Sequence, residues 1–180
     1  SMMEVWRDAH VYDTGMITII ECMGRHAGWL TAAAALANYA GDGADLIYLP
    51  ERDFDLDAFT EKVKEIYNKP KKCLVVVSAG IHDKDGQFIS EYGPANAAKD
   101  AFGHTQLGGL ASFLANHMKA ATGAKVRGIE LSLLQRCAAH CASQTDIEES
   151  FAAGKAAVEN AVAGITDKMV GFERSYENGK

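Results

Sequence analysis

The chain has 180 residues, of which 48% are hydrophobic and 23% charged, proportions typical of a globular protein that can bury a core. Its net charge of −6 and sequence pI near 5.5 exclude the basic surface that would attract nucleic acid or an anionic membrane. Since no apolar run approaches the roughly 20 residues of a membrane helix, we expect no membrane partner and a cytoplasmic location.

The N-terminal half predicts strands and helices in alternation. Ser-Met-Met at 1–3 is typical of an expression-tag remnant, so we expect the fold to span 4–180. Residues 16–23 predict a β-branched strand, and the small residues of 25–40 predict a helix that begins at Gly24. The next predicted elements are a short strand over 45–49 stopped by Pro50, and a helix over 56–68 capped by Asp55.

The pattern continues to the end of the chain. KCLVVVSAG at 72–80 is apolar throughout, as in a strand buried on both faces. A polar loop or hairpin is predicted at 83–93, where Asp85-Gly86 indicates a turn, and a helix follows over 105–122 that ends at Gly123. The remaining predicted elements are a strand over 126–134, a helix from a Thr145–Glu148 capping box to about 163, and a last strand at 168–174. This alternation indicates an α/β fold with a mostly parallel sheet flanked by helices in three layers.

The cysteines and histidines do not predict a metal site. Cys22, Cys73, Cys137 and Cys141 lack CxxC spacing, and we interpret them as reduced thiols packed as small hydrophobic side chains. The histidines have no HxH or HxxxH spacing either.

Polar groups follow three of the predicted strands, at the sheet edge where parallel α/β folds bind ligands. These groups are Met23-Gly24-Arg25, Ser78-Ala79-Gly80 and Gln135-Arg136. Two arginines beside a glycine-containing turn and a helix N-terminus favour an anion with hydroxyl groups, such as a sugar phosphate. Taken alone, Arg25 also fits a solvated residue at a helix start, so residue patterns predict an anion site and nothing narrower.

One segment is more specific. MGRHAGWLTAAAALA at 23–37 resembles the phosphofructokinase family, in the branch that includes pyrophosphate-dependent enzymes. Further matching segments follow in the family's order over nearly the whole chain: ADLIYLPE at 44–51, KCLVVVSAGIHDKDG at 72–86, FGHTQLGG at 102–109, RGIELSLLQR at 127–136, TDIEESFAAGKAAVE at 145–159 and GITDKMVGF at 164–172.

The resemblance implies transfer of a phosphoryl group to the 1-hydroxyl of fructose 6-phosphate, with Mg²⁺, by a homo-oligomer. The implied substrate-binding residues are Met23, Gly24, Arg25, Leu133, Gln135 and Arg136, with Arg25 and Arg136 on the phosphate, and Arg127 reaching into the neighbouring subunit's site. Three positions depart from the family pattern: Ala79 stands for a sugar-binding glutamate, Leu133 for a histidine or tyrosine, and Met16 for a second inter-subunit arginine.

The family's glycine-rich donor loop and TIDxD segment, whose aspartate activates the sugar hydroxyl, have no counterpart in this sequence. The resemblance therefore implies that residues 4–180 are the fructose 6-phosphate-binding domain of a longer enzyme. We expect no catalytic residue and no metal site in this chain, and no turnover by the chain alone. The expected phosphoryl donor is pyrophosphate, with ATP as the alternative.

Two other functions compete with this reading. A non-catalytic sugar-phosphate-binding or regulatory paralogue is favoured by Ala79 and Leu133. An unrelated doubly wound nucleotide binder is disfavoured, because neither GxGxxG nor GxxxxGK[ST] follows a strand.

Overall fold

The structure, a computed structural model, describes residues 1–92 and 109–173. It divides into two compact units, Ser1–Gln135 and Arg136–Lys180. The helices are α1 (Met2–Val11), α2 (Trp29–Ala32), α3 (Leu56–Asn68), α4 (Leu110–Thr122), α5 (Ser132–Arg136) and α6 (Gln144–Val162), and the strands are β1 (Met16–Cys22), β2 (Leu46–Tyr48), β3 (Lys72–Ser78) and β4 (Lys125–Glu130). Short 3₁₀ stretches cover Ala33–Ala40, Ile89–Tyr92 and Ala139–Cys141.

The strands of the first unit form one parallel sheet in the order β2-β3-β1-β4. β1 lies inside the sheet and pairs with β3 along its whole length, from Met16 opposite Lys72 to Cys22 opposite Ser78. On its other side β1 pairs with β4, beginning with Met16 opposite Lys125. The expected α/β fold with a parallel sheet is confirmed.

Successive residues of the two inner strands point to opposite faces of the sheet, and both faces are covered. Ile17 and Ile19 of β1 pack in one cluster with buried side chains of α3 and α4. Ile20 and Cys22 pack on the other face with Ala34 and with partly buried residues of α1. The largely apolar character of β1 and β3, interrupted inside the strands by Thr18 and Glu21, therefore follows from burial on two sides, and the helices on both faces give the expected three layers.

Several predicted features of local chemistry are confirmed. The Asp55 carboxylate caps α3 by accepting a 2.8 Å hydrogen bond from the Ala58 N–H. Gly123 ends α4 in the left-handed conformation, with φ of 65°. The Asp85-Gly86 turn is present, since the Gly86 N–H donates to the Asp83 carbonyl at 3.0 Å.

Other boundaries differ from those predicted. The helix expected from Gly24 begins at Trp29. The strand expected over 126–134 ends at Glu130, and α5 follows. The prediction failed because a short apolar run is compatible with either a strand or a helix. The cap of α6 is Ser143, whose Oγ accepts from the Asp146 N–H at 3.1 Å, two residues before the predicted cap Thr145.

Two further expectations about the chain were wrong. The segment 168–173 forms no strand. Cys137 and Cys141 are exposed, whereas Cys22 and Cys73 are buried as expected. Met2 and Met3, which belong to the segment interpreted as a tag remnant, lie in α1, and Met2 packs against the cluster that contains Ile20 and Cys22. Residues 93–108 and 174–180, which include most of the FGHTQLGG match, lie outside the described residues.

The second unit has a different character. Its main element, α6, contains no buried residue, and Phe151 and Val158 are 74% and 64% exposed. Across residues 1–92 and 109–173, no helix is both long enough and apolar enough to cross a membrane.

Candidate functional site

The carboxyl ends of β1 and β3 lie side by side, and the segments that follow them are bonded together. The Ala79 N–H donates to the Cys22 carbonyl at 2.8 Å. The Gly24 carbonyl accepts two hydrogen bonds, from the Ser78 hydroxyl at 2.6 Å and from the Gly80 N–H at 2.9 Å. We call residues 23–28 the Arg25 turn. The turn is thus fixed to the end of β3, at the sheet edge where ligands bind in parallel α/β folds.

Two glycines make this close approach possible. Gly24 has φ of +149°, a conformation that residues with a Cβ rarely adopt, and a Cβ there would lie 2.7 Å from the Ser78 hydroxyl. At Gly80 a Cβ would lie 1.9 Å from the Arg25 carbonyl oxygen and 2.5 Å from the Arg25 Cα. The Arg25 backbone therefore rests directly on Gly80, and neither glycine can be replaced without moving the turn.

Side chains from two other elements also hold the Arg25 turn. The Met23 N–H donates to Gln135 Oε1 of α5 at 2.7 Å, which brings together two predicted site residues. At the other end of the turn, the Gly28 N–H donates to Glu51 Oε1 at 2.7 Å. Glu51 is not among the site residues predicted from the sequence. It closely follows β2, so the rule that ligands bind at the carboxyl ends of strands would have selected it.

The remaining predicted residues are placed as follows. Arg25 is partly buried in the middle of the turn. Leu133 lies in α5 and is 66% exposed, and Arg136 is the last residue of α5 and the first of the second unit. The prediction of a helix N-terminus beside Arg25 is wrong, because α2 begins at Trp29. The Gly28 N–H, directly before that helix, donates to Glu51.

Arg127 occupies a different place from the Arg25 turn. It lies on β4, and its Nη1 is 3.3 Å from Oδ2 of Asp8 in α1, with both side chains about half exposed. Met16, which stands for a second family arginine, is 1% exposed at the start of β1.

Two titratable groups of β1 are buried close to the turn. The pKa of the Glu21 carboxyl is raised by burial, against the lowering effect of a 2.9 Å hydrogen bond that it accepts from the Ala111 N–H. Burial also raises the pKa of the Cys22 thiol to about 11, so the thiol is neutral at physiological pH. The turn itself contributes the guanidinium of Arg25, a cation with five hydrogen-bond donors.

The described residues do not provide a metal centre. Within residues 1–92 and 109–173, no group of three or more His, Cys, Asp or Glu side chains could hold a metal ion.

Comparison with known proteins gives one family. The model of the family described as "Phosphofructokinase" matches residues 3–144. The chain is 48% identical over 159 residues to the pyrophosphate–fructose 6-phosphate 1-phosphotransferase of Xanthomonas campestris pv. campestris (strain B100), a match that covers 88% of this chain and 37% of that relative.

Two solved structures have the same fold. The pyrophosphate-dependent phosphofructokinase from Nitrosospira multiformis matches with a TM-score of 0.66 and 34% identity, over 91% of this chain and 37% of that one. The enzyme of the same description from Marinobacter aquaeolei matches with a TM-score of 0.69 and 32% identity, over 93% and 40% of the two chains. The chain thus spans less than half the length of these relatives.

Proposed function

Because the chain belongs to the phosphofructokinase family, we propose that it is the fructose 6-phosphate-binding part of a longer enzyme, which transfers a phosphoryl group to the sugar 1-hydroxyl. The observation that carries this proposal is the Arg25 turn, fixed by backbone and side-chain hydrogen bonds at the carboxyl ends of β1 and β3. A backbone held in this way carries the Arg25 side chain at a fixed position, which is suited to a phosphate ester, since less conformational freedom is lost on binding.

The proposed roles differ among the residues. Arg25 and Arg136 bind the 6-phosphate, Met23 and Gly24 shape the turn, and Leu133 lies near the sugar. Gln135 acts by accepting from the Met23 N–H. In the proposed homo-oligomer, Arg127 of one subunit enters the site of another.

Pyrophosphate is the proposed donor in the longer enzyme, with Mg²⁺ supplied outside the residues described here and a cytoplasmic location. The choice of pyrophosphate as donor is supported by the names of the relatives, which specify pyrophosphate. ATP is the alternative donor. We expect the isolated chain to form no fructose 1,6-bisphosphate with either donor, because phosphoryl transfer requires donor, acceptor and metal to be positioned together.

Titration with fructose 6-phosphate, followed by the amide shifts of Gly24, Gly28 and Gly80, tests the binding proposal. We expect saturable shifts that fructose does not produce, and affinity at least about tenfold weaker in Arg136→Ala, since a charge-assisted phosphate contact is lost. Arg52→Ala, which removes an exposed arginine, is the matched control and should bind as the wild type does. Equal shifts with fructose, or unchanged affinity in Arg136→Ala, would contradict the proposal.

A regulatory, non-catalytic role is the second candidate. It is favoured by Ala79, which lies beside the Arg25 turn with its N–H bonded to the Cys22 carbonyl and offers only a methyl group where the family has a glutamate. Assay of the longer protein separates the two functions, because an enzyme forms fructose 1,6-bisphosphate and a regulator binds the sugar without forming it.

A further inference from the structure

The two ends of the Arg25 turn are held by different parts of the fold. At the start, Gln135, Ser78 and Gly80 bond to Met23 and Gly24, and these contacts come from α5 and from the end of β3. At the other end, the Gly28 N–H donates a hydrogen bond of 2.7 Å to Glu51 Oε1. Glu51 therefore connects the turn to the segment that follows β2.

Gly28 is closely surrounded by other atoms, so its backbone has little room to move. Gly28 is buried, so its N–H needs an acceptor within the protein. A Cβ at Gly28 would lie 2.7 Å from Glu51 Oε2, 2.9 Å from a Leu49 methyl and 2.9 Å from Pro50 Cδ. Residues 49–51 thus contact the backbone of Gly28 directly, and the Glu51 carboxylate both satisfies the N–H and fills the space next to it.

We propose that Glu51 is a positioning residue for Arg25. Its carboxylate fixes the exit of the turn, while Gln135 and Ser78 fix the entry, so that Arg25, between these two ends, keeps one backbone position against Gly80. This inference rests on the proposed function of the turn in binding the phosphate of the sugar. Glu51 acts through the hydrogen bond from the Gly28 N–H, which needs an acceptor oxygen and not a charge.

Amide hydrogen exchange of the ligand-free chain tests the structural half of the proposal. In Glu51→Ala the Gly28 amide should exchange about tenfold faster or more, whereas Glu51→Gln keeps an acceptor oxygen and should stay close to wild type. Glu61→Ala removes an exposed carboxylate of α3 and is the matched control. Unchanged Gly28 exchange in Glu51→Ala would overturn the proposal, whatever the binding data show.

Fructose 6-phosphate titration of the same variants tests the functional half. We expect affinity about tenfold weaker in Glu51→Ala and near that of the wild type in Glu51→Gln and Glu61→Ala. Weaker binding in both Glu51 variants would assign the effect to the charge or to direct contact with the sugar, and tighter binding in both would assign it to repulsion. Either result overturns the positioning role.

The two proposals fail in different ways. If the wild-type chain does not bind fructose 6-phosphate, the proposed function of this chain fails, and Gly28 exchange still decides whether Glu51 fixes the turn. If the wild type binds and Glu51→Ala binds equally well, the proposed function stands and the positioning role fails.

Discussion

Lys72 is a charged residue almost entirely inside the protein, at 8% exposure. Its ammonium group donates to three backbone carbonyls, those of Ala9, Tyr12 and Thr14, at 2.5–2.7 Å. These carbonyls belong to the last turn of α1 and to the link that leads to β1. One side chain at the start of β3 therefore satisfies acceptors that the end of a helix leaves unpaired, and its positive charge complements the helix dipole there.

Replacing this lysine by methionine keeps most of the aliphatic volume and removes all three hydrogen bonds. We expect Lys72→Met to lower the free energy of unfolding by about 2–4 kcal/mol, because three charge-assisted hydrogen bonds are lost, one of them to the buried Ala9 carbonyl. Urea unfolding measures the change. Lys69→Met is the control, since the Lys69 side chain is 79% exposed and its loss should cost less than about 0.5 kcal/mol. Equal losses in the two variants would contradict this role for Lys72.

At the scale of elements, α4 depends on Glu21 of β1. The Glu21 carboxylate accepts from the Ala111 N–H at the first turn of α4, and it faces Glu130 of β4 across the register. Burial and the Glu130 charge raise the pKa of Glu21 above its ordinary value of 4.5, and the hydrogen bond only partly offsets them. The helix is thus anchored by a carboxylate whose charged form is costly in that position.

This arrangement gives the stability a pH dependence. Folded Glu21 keeps its proton to a higher pH than unfolded Glu21, so the folded state binds more protons between the two pKa values and stability falls as pH rises through them. Glu21→Gln retains an acceptor and has no charge to titrate. Relative to wild type, it should therefore gain stability as pH rises from about 4.5 upward, measured by urea unfolding between about pH 4 and pH 8.

A control separates this effect from general titration. Glu61→Gln removes an exposed carboxylate and is the control for the loss of one negative charge. A Glu21→Gln difference that is flat with pH, or that shrinks as pH rises, would show that burial does not dominate the titration of Glu21.

The elements also show what could be predicted from the sequence. Local sequence signals predicted four features correctly. Apolar runs indicated β1 and β3, Asp55 indicated the start of α3, and Gly123 indicated the end of α4. The start of α2 was not predictable, because the alanine-rich stretch allows a helix from any of several residues and the contact between Gly80 and the Arg25 backbone decides against the earlier ones.

The same division holds at the candidate site. The arginine and glycines of the turn were found from their position after a strand. The bonds from Gln135 and Glu51 join residues far apart in sequence, and a single sequence contains no local signal for such pairs. The final predicted strand failed for a related reason, since a short apolar segment forms a strand only where a neighbouring strand pairs with it.

For the whole molecule, the two units should differ in stability. The second unit has α6 as its main element, with no buried side chain, and most of the stability of helices in proteins comes from packing of an apolar face. Amides of α6 should exchange with solvent about a hundredfold faster or more than those of β1 and β3. α4 is the internal control, because it is also helical but buries five residues, among them Leu114 and Met118, and should be protected. Comparable protection in α4 and α6 would contradict this prediction.

The place of β1 between β3 and β4 has a consequence for folding kinetics. The Arg25 turn is a short contiguous segment, yet the strand that delivers it is complete only when strands beginning at Lys72 and Lys125 have arrived from much later in the chain. Closing such long loops is slow, and parallel pairing of this kind belongs to the slower class of folding reactions. The Arg25 turn is therefore local in sequence but among the last parts of the first unit to be assembled during synthesis, after most residues of that unit have left the ribosome.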